Sequence, residues 1–341
     1  MSKKFNLAIV GATGFVGQSV LSILQQRKFP INNLYLLASE RSSGETMEFN
    51  KQQLLVSDLV EFDFKQADIA IFTAGAAVSA QYVPKATQNA CLVIDNTPQF
   101  RYDDDVPLVI PEVNPEALAG YKKRHIIANP NCSTIQMLVA LKPIYDAVGI
   151  TRINVVTFQS VSGAGKTAFR ELIQQAGQLL NGLPIKQPKA FTQQIAFNVI
   201  PHIDEFEENG YTREEMKMVW ETQKIFSDPD IQVNPTAVRV PVFHGHSEAV
   251  HIETKKKITA KQAKLLLKKA PCVLVIDKLA NNGYPTPISH PNSDKVLVGR
   301  LREDISHRFG LDMWIVADNI RKGAALNAVQ IAELMIEQYN I

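Results

Sequence analysis

The residue in this chain best placed to do covalent chemistry is Cys132. It stands in Asn129-Pro130-Asn131-Cys132-Ser133-Thr134, after the apolar run Ile126–Ala128 and before an apolar helical pattern, Ile135–Leu141. The sequence therefore predicts Cys132 at a helix N-terminus. Free amides and the positive end of the helix dipole favour the thiolate there. By residue type alone a cysteine is more often a small core residue. The polar turn around Cys132 argues for a nucleophile instead. Cys91 and Cys272 lie in the apolar stretches Ala90-Cys91-Leu92 and Pro271-Cys272-Val273 and read as structural. Three widely spaced cysteines make no disulfide framework and no C-x-x-C metal pair, so no metal site is expected.

A thiol nucleophile needs a base. The segment Arg239-Val240-Pro241-Val242-Phe243-His244-Gly245-His246-Ser247 runs a strand pattern into a glycine turn and offers His246. His244 competes with it. His125, His202, His251, His290 and His307 have no such setting. Arg239, on the same segment, can hold a carboxylate with two parallel hydrogen bonds. A strand-edge ion pair is the plainer role for it.

A second motif is built for an anion. Gly11-Ala12-Thr13-Gly14-Phe15-Val16-Gly17 follows the strand pattern Leu7–Val10 and opens the first helix. Glycines there permit a tight turn and close approach of a pyrophosphate, which the helix amides then bind. The spacing G-x-x-G-x-x-G is weak alone. Its position between strand and helix supplies the required context. The next strand ends in Ala38-Ser39-Glu40-Arg41-Ser42-Ser43-Gly44. An acidic residue at this point suits the ribose diol of NAD, and an arginine with hydroxyls suits the 2′-phosphate of NADP. Arg41 and Ser42 favour NADP; Glu40 pulls the other way.

These groups must be carried by two kinds of sheet. Up to about residue 131, apolar runs at Leu34–Ala38, Asp68–Ala74, Leu92–Asp95, Leu108–Ile110 and Ile126–Ala128 alternate with helical patterns. That predicts a doubly wound (Rossmann-like) α/β domain with a parallel sheet covered on both faces. Beyond it, strand candidates at Arg152–Gln159, Val238–Val242, Ala249–Lys255, Val273–Ile276, Val296–Leu301 and Leu311–Ala317 predict an α+β domain. Its sheet should be mixed and largely antiparallel, since several of these runs alternate apolar and polar residues. Helices are expected near 166–181, 212–226 and 260–270. A last amphipathic helix spans Ala324–Tyr339. We expect a cofactor domain of residues 1–131, completed by 322–341, and a catalytic domain of 132–321.

The 341 residues are 45% hydrophobic and 21% charged, with net charge +2. Nothing in that balance suggests nucleic acid or a membrane surface as partner. No apolar run approaches the roughly 18 residues that cross a bilayer. The opening MSKKFNLAIVGATG has no signal-peptide pattern, so a cytoplasmic enzyme with reduced thiols is expected.

Taken together, GATGFVG, DNTPQFR, NPNCST, FQSVSGAGK and RVPVFHGHS resemble the motifs of aspartate-β-semialdehyde dehydrogenases, in the family's order. The resemblance implies an NADPH-dependent reductive dephosphorylation of L-aspartyl-4-phosphate to L-aspartate-4-semialdehyde, through a thioester on Cys132. That reaction belongs to the biosynthesis of lysine, through diaminopimelate, and of threonine, methionine and isoleucine. His246 would be acid/base and Gln159 would position the substrate. Arg239 would hold its carboxylate, Glu221 its ammonium group, and Lys224 and Arg101 the phosphate, with Asn131 also at the substrate. Ser162, Gly163 and Asn319 would join Gly11, Thr13, Gly14, Phe15, Val16, Gly17, Arg41 and Ser42 at the cofactor. A homodimer is implied, with a homotetramer as a further stage. Glu221 and Lys224 also fit a solvent-exposed i,i+3 pair. The nearest alternative is an N-acetyl-γ-glutamyl-phosphate reductase, which needs no ammonium partner. A silent regulatory paralogue is a third reading, but such a chain would be expected to lose Cys132, His246 or Arg239, and all three are present.

Overall fold

Short, largely apolar runs make the central strands of the first unit. The computed structural model describes residues 3–339. It divides into a unit running up to Asn131 and resuming at Ala324, and a second unit, Cys132–Gly323. In the first, β1 (Phe5–Val10) leads through α1 (Phe15–Arg27) to β2 (Ile31–Ala38). A hairpin of β3 (Thr46–Phe49) and β4 (Gln52–Asp58) follows, then β5 (Ile69–Phe72), α2 (Ala76–Gln88), β6 (Leu92–Asp95) and β7 (Ile126–Ala128). The sheet order is β3-β4-β2-β1-β5-β6-β7. Every pairing is parallel except that of β3 with β4. β5 and β6 are buried at every position, which is why they show no alternation.

Two features of this unit depart from expectation. Leu108–Ile110 forms no strand; Leu108 makes a single bridge to Ala128. Pro107 and Pro111 flank it and cannot donate to a ladder. The β3–β4 hairpin escaped the pattern because it turns on Asn50 and Lys51, both at positive φ (49° and 65°), rather than on an Asn-Gly pair.

The second unit opens with α3 (Cys132–Val148) and β8 (Ile150–Gln159), followed by α4 (Gly165–Leu180) and α5 (Arg213–Phe226). Then come β9 (Gln232–Arg239), β10 (His246–Thr254), α6 (Ala260–Lys269), β11 (Val273–Val275), β12 (Val296–Glu303) and β13 (Gly310–Ala317). The sheet order is β11-β12-β13-β10-β8-β9. The three central pairings are antiparallel, and β11–β12 and β8–β9 are parallel. The strand expected at Val238–Val242 starts earlier and stops at Arg239, ahead of Pro241. β9 tolerates Pro235 because it is the edge strand.

Along β10, residues 246, 248, 250, 252 and 254 are buried while 249, 251 and 253 are exposed or half-exposed. Helix α3 packs on this sheet, against β8, β10 and β13. A π-helical turn at Arg321–Ala325 leads into α7 (Leu326–Tyr339). That last helix packs against α1 in the first unit, where Arg27 also holds Glu333 by two hydrogen bonds of 2.7 Å. Among the described residues no helix is long and apolar enough to cross a membrane.

Candidate active site

Strand register assembles the polar centre of the second unit. Gln159 on β8 pairs with Arg239 on β9. Ser247 pairs with Phe158, so the next step along β10 sets His246 opposite Gln159. His246 pairs in turn with Ala317 on β13. Arg239, Gln159 and His246 thus form one cross-strand row, and each is at most 6% exposed. Residues eighty or more positions apart become neighbours through backbone pairing alone.

His246 is fully buried and tightly specified. Its Nδ1 accepts from the Ser160 amide at 3.1 Å and lies 3.1 Å from Ser160 Oγ. A backbone N–H can only donate, so the neutral ring carries its proton on Nε2. That Nε2 has no hydrogen-bond partner among the described residues. Burial first, and then the Arg239 charge, push the His246 pKa down to about 3. Asn319 braces the turn around it. Its Oδ1 accepts from the Gly245 amide (2.9 Å), Ser160 Oγ (3.1 Å) and Ser162 Oγ (3.2 Å). Gly163 closes over this group; a Cβ there would meet Arg239 Nη1 and His246 Cε1, each at 3.2 Å. His244, the competing histidine, is exposed, with its ring against Phe169.

Cys132 is the first residue of α3, half-exposed, with no acidic residue in that first turn. Gly323 comes so close that a Cβ on it would lie 2.8 Å from Cys132 Cβ. Arg239 donates to the Ser160 carbonyl at 2.7 Å. Burial lowers its pKa, while Glu214 and Cys132, as negative charges, act to raise it. Cys91 is wholly buried, which raises its thiol pKa to about 12, and Cys272 donates to the Asp294 carbonyl at 2.9 Å.

Helix α5 supplies the next charges. Gln159 Nε2 donates to Glu214 Oε1 at 3.1 Å. Lys217 Nζ lies 3.0 Å from Glu214 and 2.7 Å from Asp204. Burial alone would lower the Lys217 pKa, but Glu214 and Asp204 outweigh it and raise it. Glu221 and Lys224 come two turns later. Glu221 is fully buried and Lys224 half-buried, so Glu221 is not part of a solvent-exposed pair. Sequence reading passed over Glu214 and Lys217. The signal that marks them is the Thr212–Glu215 capping box, which puts the start of α5 immediately before Glu214.

The remaining candidates lie in the first unit. Arg101 is 6% exposed and donates to the Asn96 carbonyl at 2.8 Å. Asn131 ends the unit and is buried. In the glycine loop, Gly11 adopts φ +86°, and a Cβ on Gly17 would sit 2.3 Å from the Gly11 carbonyl oxygen. Gly14 caps α1 without a side-chain hydrogen bond, and the first turn, which Phe15 and Val16 begin, holds no acid. Thr13 is half-exposed in the turn. Arg41 is exposed and Ser42 half-exposed on a 3₁₀ turn after β2. A pyrophosphate and a 2′-phosphate both fit this set: a glycine turn, an acid-free helix start, and a cation with hydroxyls at the strand end.

Comparison with known proteins fits this geometry. The family model for the semialdehyde dehydrogenase NAD-binding domain matches residues 6–121, and that for the dimerisation domain matches 141–322. An aspartate-semialdehyde dehydrogenase of Legionella pneumophila is 62% identical over 99% of this chain and 98% of its own. This chain belongs to the aspartate-semialdehyde dehydrogenase family. A member from Aquifex aeolicus is 52% identical over 98% of both chains. The crystal structure of aspartate-semialdehyde dehydrogenase II of Vibrio cholerae, complexed with ASA, superposes with TM-score 0.97 at 58% identity. It covers 99% of this chain and 100% of that one. The two-domain architecture expected from the sequence is the semialdehyde dehydrogenase fold.

Proposed function

We propose that this enzyme reduces L-aspartyl-4-phosphate to L-aspartate-4-semialdehyde with NADPH, releases phosphate, and runs the reaction in reverse. The observation that carries the reading is the buried row Arg239–Gln159–His246, with Cys132 in electrostatic reach of Arg239. The start of α3 and the Arg239 charge together favour the Cys132 thiolate. Its sulfur attacks the acyl carbon; the C–S bond forms, the C–O bond to phosphate breaks, and phosphate leaves with the electron pair. Bound NADPH supplies a hydride to the thioester carbon. Negative charge then grows on the former carbonyl oxygen, and the His246 Nε2–H is the buried donor for it. Collapse breaks the C–S bond, frees the aldehyde and restores the thiolate. His246 thereby takes the donor half of the acid/base role.

Arg239 holds the substrate carboxylate and Gln159 orients the acyl group. On α5, Glu221 is the ammonium partner and Lys224 a phosphate cation, while Glu214, paired with Lys217, holds Gln159 in place. Arg101 is the other phosphate cation, and Asn131 joins the substrate set. The cofactor loop Gly11–Gly17 with Arg41 and Ser42 selects NADPH. Ser162, Gly163 and Asn319 complete that set, Asn319 acting through the turn it braces. The enzyme works in the cytoplasm as a homodimer.

Purified protein given aspartate semialdehyde, phosphate and NADP should form NADPH. Absence of NADPH there, with turnover of N-acetyl-glutamate semialdehyde, would reassign it as the acetylated-glutamate reductase. Light scattering at about twice the 37.9 kDa chain mass is the dimer result, and four times marks a tetramer.

A further inference from the structure

Glu248, on the strand that carries His246, takes no part in the chemistry above. It is fully buried, and its carboxyl makes no hydrogen bond within 3.5 Å among the described residues. A spacing of two puts it on the same face of β10 as His246. Register makes the placement definite. Glu248 pairs with Thr157 on β8 and Ile315 on β13, and Thr157 pairs with Ala237 on β9. Ala237–Thr157–Glu248–Ile315 is therefore the row directly behind Arg239–Gln159–His246–Ala317. All four members are fully buried, and the other three are neutral.

The covering helix repeats the arrangement. Gln136 stands four residues after Cys132 on α3, one turn along the same side, and is also fully buried. Its carboxamide is the polar group set against Glu248, and neither Oε1 nor Nε2 has another hydrogen-bond partner among the described residues. No Lys or Arg among the described residues counters the Glu248 charge, and burial holds the carboxyl well above the ordinary carboxylate range. A protonated carboxyl offers one O–H donor and one carbonyl acceptor. A carboxamide offers the complementary acceptor and donor. Two polar groups in a dry layer are costly apart and directional together. The same row is tied forward to the site, since Gln159 Nε2 lies 3.3 Å from Thr157 Oγ1.

We propose that Glu248 and Gln136 form a polar brace between β10 and α3 that holds Cys132 in register with His246, which makes Glu248 a positioning residue of the reaction. The inference rests on the roles given above to Cys132 and His246. Misplacement of reacting groups by about 1 Å costs on the order of a hundredfold in rate.

The test compares Glu248→Leu, Gln136→Leu, Glu248→Gln, Gln136→Glu and the swap Glu248→Gln with Gln136→Glu. Each is read by melting temperature, kcat and KM for aspartate semialdehyde, and the rate of Cys132 alkylation by iodoacetamide. Both leucine variants should lose about a hundredfold in kcat with KM within about threefold. Their alkylation should slow about fivefold or more while the melting temperature holds, because leucine fills the volume. Glu248→Gln keeps a neutral donor and acceptor and should stay within about threefold of wild type. Gln136→Glu alone should fall with the leucine variants, and the swap should recover. Leucine variants with wild-type kcat overturn the proposal, as does a kcat loss that follows the folded fraction. A Glu248→Gln variant as poor as Glu248→Leu overturns it too. If the leucine variants do not fold, Gln136→Glu against the swap decides. The alkylation rate needs no substrate, so the brace is tested even if the substrate assignment fails.

Discussion

Acid should weaken the second unit through His246. In the unfolded chain the ring titrates near its ordinary 6.5, and in the folded protein only near 3. Above 6.5 the ring is neutral in both states and contributes nothing. As pH falls from 6.5 toward 3, the unfolded state binds a proton that the folded state refuses, so stability falls with pH. The slope is about 1.36 kcal/mol per pH unit. Between pH 8 and pH 4.5 the loss is about 3 kcal/mol, which in a unit of roughly 190 residues lowers the melting temperature by about 5–10 °C. Other buried groups titrate as well. Glu248, with its pKa raised, works in the opposite sense, gaining stability as pH falls through its folded value. The comparison must therefore be differential. His246→Gln replaces the ring with a side chain that never titrates. At pH 8 this variant should be the less stable protein, having lost the Ser160 hydrogen bonds and ring packing. At pH 4.5 the gap should close by about 3 kcal/mol. Urea or thermal unfolding of both proteins at the two pH values measures it. A gap that stays constant to within about 0.5 kcal/mol would refute a buried, neutral His246.

Other perturbations have equally definite outcomes. Cys132→Ser should leave the circular dichroism spectrum intact and reduce turnover by several orders of magnitude, since a nucleophile acts as part of a unit. Turnover within tenfold of wild type would exclude the thioester. Gly17→Ala would force a Cβ to 2.3 Å from the Gly11 carbonyl oxygen, so NADPH affinity should fall at least tenfold and the melting temperature should drop. Glu221→Gln should raise KM for aspartate semialdehyde about tenfold or more, while Glu214→Gln, which loosens Gln159, should act mainly on kcat. The reverse pattern would move the ammonium site to Glu214.

What could be read from sequence follows from how locally each feature is encoded. The cofactor loop is seven consecutive residues whose glycines answer to a turn and a close approach within the same segment. Cys132 is set by a polar turn followed at once by an apolar helix. Both are complete within a dozen residues, and both took the expected local conformation. The row across β9, β8, β10 and β13 is different. Its order depends on which strands pair and in what register, and nothing near Gln159 states that Glu248 and Thr157 will stand one step behind it.

Helix α5 is the clearest case, because the sequence carries the same signal twice. Glu214 with Lys217 and Glu221 with Lys224 are both Glu-x-x-Lys pairs, seven residues apart. Seven residues are very nearly two turns, so the two pairs project from almost the same side of the helix. Periodicity reports the side and is blind to height along the axis. Height is set by where the helix begins, and the Thr212–Glu215 box fixes that. It also fastens the helix start to the neighbouring edge strand, because Glu215 accepts from the Ala237 amide at 2.9 Å. Ala237 lies two residues before Arg239 on β9, so the first turn of α5 is the part anchored beside the Arg239–Gln159–His246 row. Glu214, one residue from that anchor, therefore reaches Gln159. Glu221 lies about 10 Å further along the axis at 1.5 Å per residue. Substitution of Glu215 should consequently disturb the Glu214 contact and lower kcat, even though the Glu215 carboxylate itself binds the Thr212 and Ala237 amides.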